Sequence, residues 1–323
     1  MIRRILEKLG ITRKTDDKEP SEKGGHPSFD ASNKRLDPGE LLIEVAQEFE
    51  DEDRFRTKAQ EVASRLSFNE AKGLTRFFHK NPPEPEHLKS KTVKYGLFGV
   101  WMNICQNAVF EILFNYKEQS IPTLYSIGFG EYDWTQYKAI HVLCRLAKEG
   151  IQTDNIINDI GEKIQSFRYE AVFPSIASLS SIPGNKQVPS IMLAVFEEYS
   201  ADDPIDGLAI LRLLSINYPQ EAIEKLSFIK ALAKGEDIED RSPLLDGAIL
   251  SYDEAGNETF SIDGEELTGS LEETHRINAA LLYYSLDPKD QEINDLIDHW
   301  EKTAQSEAHR SQISEFKRQK GGT

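Results

Sequence analysis

Apolar residues recur at helical spacing along most of this chain, and they predict helix after helix joined by loops of a few residues. The pattern is most regular from Ile121 to Gly235. There, helices are expected near 120–129, 133–148, 153–164, 168–182, 187–199, 203–217 and 219–234. Upstream, Asp37-Pro38 pairs an N-cap residue with a proline at the first helical position. The helix it opens turns Leu41, Leu42, Val45, Ala46 and Phe49 inward. A second is expected over about 53–66, with Phe55, Ala59, Val62 and Leu66 inward. Ser67-x-x-Glu70 is a capping box for a third, ending near Lys80 before Pro82-Pro83. The most apolar stretch, His87 to Tyr116, reads as two helices broken near Cys105–Asn107. Downstream, Ser270-x-x-Glu273 opens a helix carrying Ile277, Ala280, Leu281 and Tyr284. Asp287-Pro288 opens a last one, with Ile293, Leu296, Ile297, Trp300 and Ala304 on one face and a stripe thinning to Ile313 and Phe316.

Two stretches depart from this rhythm. Residues 1–12 place Ile2, Ile5, Leu6 and Leu9 on one face among Arg3, Arg4 and Lys8, a short basic amphipathic helix suited to an anionic membrane or a partner's groove. Its alternative is to dock on its own domain or fray, and membrane contact is expected nowhere else. Residues 13–36 have almost nothing to bury and read as a disordered linker of roughly 25–30 Å span. The second departure is the acidic segment 237–270. Ala248–Tyr252 and Glu258–Ile262 flank a turn with Asp253, Glu254, Gly256 and Asn257, which predicts a small β-hairpin insertion over 247–263. The expected organisation is a helical-repeat domain over 37–318, with a disordered tail at 319–323.

Signals within the regular stretch point to a repeat. Ile121-Pro122-Thr123-Leu124, Phe173-Pro174-Ser175-Ile176 and Val188-Pro189-Ser190-Ile191 share an apolar-Pro-x-apolar opening. Ile121, Ile156, Val188 and Ala222 recur at intervals of 32 to 35 residues, which suits a helix pair. These openings, and second helices such as Asp133 to Leu143, resemble HEAT or armadillo-type repeats over Leu88 to Gly235. Lys138 stands where that pattern places a basic residue early in the second helix. The resemblance implies an all-α fold, an α-α superhelix or HEAT-like solenoid, and mostly scaffolding and protein binding, with a few enzymes.

Charge narrows the partners. The chain has 323 residues and a net charge of −17. Asp202 to Trp300 holds 23 acidic residues against 7 basic ones, while residues 1–36 have 9 basic against 6 acidic. The acidic half repels phosphate backbones, which disfavours nucleic acid, and attracts a basic protein. The plainer reading is a solvated surface that keeps the chain soluble. Cys105 and Cys144 fall in apolar helices and read as buried thiols. No apolar run reaches membrane-spanning length and no signal-peptide core is present, so a cytoplasmic protein is expected.

The sequence shows no catalytic or cofactor signature. It lacks phosphate-cradling glycine loops and the G-x-S-x-G elbow, and its seven histidines never take metal-ligand spacing. No metal or cofactor is expected. The candidate partner-binding residues are Trp134, His141, Arg145 and Arg168, with Asp253 and Glu254 at the hairpin turn. His141 and Arg145 lie at i, i+4 on one helix, opposite Ile140 and Leu143. Trp101 and Trp134 have core packing as their competing assignment. A non-enzymatic scaffold or adaptor follows, with two alternatives: an acidic, immunity-type inhibitor of a basic effector, and a HEAT-like enzyme acting on a macromolecule.

Overall fold

The computed structural model describes residues 37–93, 100–131, 133–236, 249–252, 258–262, 265–266, 271–304 and 306–321. The basic segment 1–12, the linker 13–36, and Asp253 and Glu254 lie outside the described residues. The fold is of the all-α class, and the chain divides into two compact units, Met1–Ile182 and Pro183–Thr323.

In the first unit, α1 (Pro38–Ala46) starts where Asp37 Oδ1 accepts from Gly39 N at 2.9 Å. It is followed by α2 (Glu52–Arg65) and α3 (Phe68–Gly73), the latter with both bonds of the Ser67–Glu70 capping box. Then come a 3-10 turn at Leu74–Phe78, α4 (Glu86–Val93), α5 (Val100–Phe114), α6 (Ile121–Gly128), α7 (Gln136–Lys148), α8 (Thr153–Lys163) and α9 (Tyr169–Ser180). Helices α2, α5, α7 and α9 pack in succession, each on the next, while α1, α6 and α8 pack beside them. The core between them is aliphatic, with Leu41, Leu42, Leu113, Leu124, Ile140 and Leu143 among its buried side chains. Both cysteines are buried, Cys105 on α5 and Cys144 on α7.

Helix α5 corrects the expected break near Cys105–Asn107, since it runs unbroken from Val100 to Phe114. Its polar residues are accommodated without leaving the helix. Gln106 is buried and donates from Nε2 to Phe78 O at 3.0 Å, and Asn107 is exposed. Trp101 is buried and donates to Pro82 O at 2.7 Å, so core packing holds for it.

The second unit contains α10 (Gln187–Asp202), α11 (Pro204–Asn217), α12 (Pro219–Ile223), α13 (Leu226–Lys234), α14 (Leu271–Leu286), α15 (Gln291–Thr303) and α16 (Glu307–Gly321). Three short strands, β1 (Ile249–Tyr252), β2 (Glu258–Ile262) and β3 (Glu265–Glu266), pair antiparallel in that order. Gly207 lets α11 approach α10 closely, because a Cβ there would lie 2.5 Å from Ser200 Cβ. Two expectations are corrected here. The helix expected over 219–234 is interrupted by a turn at Glu224-Lys225. The last helix is two, and the first is capped by Asp290, which accepts from Ile293 N at 3.2 Å, with Asp287 left in the preceding turn.

Candidate partner-binding face

Helix α7 is the centre of the first unit, and its sequence explains why. Ala139, Ile140, Val142, Leu143, Cys144, Leu146 and Ala147 are buried and cover most of its circumference. Three of its polar residues, Lys138, His141 and Arg145, lie along one stripe at i, i+3 and i+7. Asp133 fixes the entry, accepting from Thr135 N at 2.5 Å. A Schellman turn fixes the exit. Gly150 at φ +86° donates to Ala147 O and Ile151 donates to Leu146 O, both at 3.0 Å.

Each residue of the stripe reaches a neighbouring helix. Arg145 forms a bidentate pair with Glu111 of α5, at 2.5 and 2.8 Å, and its guanidinium lies 3.8 Å from the Phe114 ring centroid. Burial would push the Glu111 carboxyl upward, but the bonds and charge of Arg145 outweigh it and hold the pKa below the ordinary value. His141 Nδ1 lies 3.2 Å from Ser178 Oγ on α9. Ser178 gives its own proton to Pro174 O at 2.9 Å, so its oxygen accepts and His141 carries its proton on Nδ1. Burial, reinforced by Arg145, pushes the imidazole pKa down to about 4, so the ring is neutral at pH 7.

Lys138 is the outlier. It is only 7% exposed, yet the described residues place no carboxylate against it. Its Nζ donates to Asn103 Oδ1 at 2.5 Å, to Asn107 Oδ1 at 2.6 Å and to Asn103 O at 3.5 Å, all on α5. Amide oxygens satisfy the donors without neutralising the charge, and burial lowers the amine pKa to about 7.

The structure thus brings His141 and Arg145 onto one face, as their spacing implies, and gives both of them partners within the chain. Trp134 corrects its core-packing assignment, because it is 64% exposed just ahead of α7. Arg168 stands apart, lining a separate cavity of about 430 Å³ with Phe129, Glu131, Gln136, Lys163 and Phe167. Residues not singled out from sequence are Glu111, Asn103 and Asn107. Their i, i+4 spacing on α5 (103, 107, 111) was the available signal. Among the described residues, no group of His, Cys, Asp and Glu is arranged to hold a metal, and no helix is long and apolar enough to cross a membrane. Compared with known protein families, curated proteins and solved structures, the chain gives no match.

Proposed function

We propose that this chain is a non-enzymatic protein-binding scaffold of the helical-repeat type, a HEAT-like superhelix with a hairpin insertion, and that it holds its partner on the α5–α7 face headed by Trp134. The observation behind this reading is the 64% exposure of Trp134, in the turn that leads into α7. An exposed tryptophan leaves a large apolar surface in water, and such residues dominate the energetics of protein interfaces. Beside it Arg145 is closed on Glu111, Lys138 is buried against Asn103 and Asn107, and those two exposed amides are neutral, a composition that suits a specific interface better than a nonspecific one. The acidic stretch Asp202–Trp300 favours a second reading, an inhibitor that captures a basic effector by charge.

Trp134→Ala separates them. Recovery of the cognate partner by the tagged protein is expected to fall at least about tenfold, with the melting temperature unchanged, and to survive 0.5 M NaCl in the parent. Partner recovery that ignores Trp134 but disappears in salt moves the assignment to the acidic inhibitor. Turnover of a macromolecular substrate by the purified chain, without any bound partner, overturns both.

A further inference from the structure

The Lys138 cage is incomplete as an electrostatic unit, and what it lacks has a definite chemistry. In its charged form Lys138 accepts nothing, and Asn103 and Asn107 both present Oδ1 to it, at 2.5 and 2.6 Å. Both oxygens meet at one nitrogen. The two Nδ2 groups therefore point away from Lys138, on residues that are themselves exposed. Asn103 and Asn107, one turn apart on α5, thus each offer an amide donor polarised from behind by a buried positive charge.

Nearby anions do not fill this role. Glu111, one turn beyond Asn107, is closed in the bidentate pair with Arg145. Asp133 is engaged by Thr135 and lies 3.3 Å from His79. Other charged or titratable groups around it are His141 and Arg145 on α7, Arg56 on α2, and Cys105 on α5, on which the Glu84 charge acts. The site donates hydrogen bonds and seeks negative charge.

We propose that Asn103 and Asn107, backed by the Lys138 ammonium, receive an Asp or Glu side chain of the partner protein. The proposal rests on the protein-binding reading above and adds the partner's chemistry at this point of the face. Carboxylate oxygens would take the Nδ2 protons, and their charge would compensate Lys138. Binding is then coupled to proton uptake. The free amine is partly neutral at pH 7, and a carboxylate at this place favours its charged form. His141, already neutral, does not titrate in the same range.

The test uses the full chain, with isotope-labelled asparagine and lysine side chains read by NMR. The probe is a capped tetraglutamate peptide, with a capped tetraglutamine peptide, sodium acetate and inorganic phosphate as controls. The Nδ2 signals of Asn103 and Asn107 are expected to shift with the glutamate peptide alone. The Lys138 amine pKa is expected to rise by at least about one unit on saturation, which makes binding roughly sixfold tighter at pH 6.5 than at pH 8.5. Equal responses to the glutamate and glutamine peptides overturn the proposal, as does an unmoved Lys138 pKa. Acetate or phosphate acting as strongly as the peptide assigns a free anion and also overturns it. Lys138→Met keeps the apolar stem and is expected to abolish the pH dependence. If the peptide is inert while Trp134 still governs partner recovery, the acidic subsite falls and the scaffold reading stands.

Discussion

Two lysines, one in each unit, tie helices together in opposite ways. Lys138 reaches from α7 to α5 and finds only amide and backbone carbonyls. Lys230 reaches from α13 to the start of α15, where Asp290 lies at 2.7 Å and Glu292 at 2.9 Å, with Tyr283 donating to the same Asp290 oxygen at 2.9 Å. Both ammonium groups have hydrogen-bond acceptors within reach. Only Lys230 has its charge neutralised. Its pKa is raised by the bonds to Asp290 and Glu292, and Asp290 falls to about 2 chiefly through the bond from Lys230. Lys138 moves down, to about 7, because burial is unopposed. Satisfying donors and neutralising charge are separate requirements, and a site that meets only the first is left sensitive to an incoming anion.

The sharpest way to break the comparison is to make a third site behave like an extreme Lys138. Arg145→Ala leaves the Glu111 carboxylate buried and uncompensated, and it should cost about 3–5 kcal/mol in denaturant unfolding at pH 7. Glu111 has a depressed pKa in the folded state, so the stabilisation is present above its ordinary value of 4.5 and disappears as pH falls through the folded one. The penalty of the substitution should shrink accordingly in acid. Next comes Lys138→Met. The unfolded chain holds the Lys138 proton up to about its usual 10.5, while the folded chain releases it near 7. Between those limits the unfolded state binds more protons. This group therefore adds about 1.4 kcal/mol of stability per pH unit as pH rises, an increment the methionine variant should lose. The smallest effect is expected at the neutralised site. Lys230 is partly exposed, so Lys230→Met should cost less than about 1 kcal/mol, and most of that should vanish in 1 M NaCl. A larger loss at Lys230 than at Arg145 would reverse the ranking.

Much of the framework was legible because helix starts are written locally. Asp37-Pro38, Ser67 with Glu70, and Asp203-Pro204 each cap the helix they announce, Asp203 accepting from Ile205 N at 2.8 Å. The same rule misplaces the start at Asp287-Pro288, because Asp290 three residues later competes for the cap and takes it. The unbroken α5 was illegible for a related reason. Gln106 and Asn107 look like a polar interruption until the Phe78 carbonyl and the Lys138 ammonium are known to meet them. The face of α7 could be read from the i, i+4 spacing of His141 and Arg145. Their partners could not, since Ser178 and Glu111 lie 37 and 34 positions away and only tertiary packing brings them near. Trp134 shows the limit of composition: an apolar sequence context does not say whether a residue at a helix entrance turns in or out.

The two cysteines have an experimental consequence. Both are buried in the first unit, on α5 and α7, and burial raises both thiols, Cys105 to about 12. A thiol so placed has little thiolate and no access to a reagent until its helix separates from its neighbours. They are the only cysteines in the chain, so the second unit has none. Maleimide uptake by the unmodified protein is therefore a clock that runs on the opening of the first unit alone, and cysteines introduced anywhere on the surface can be labelled against a silent background.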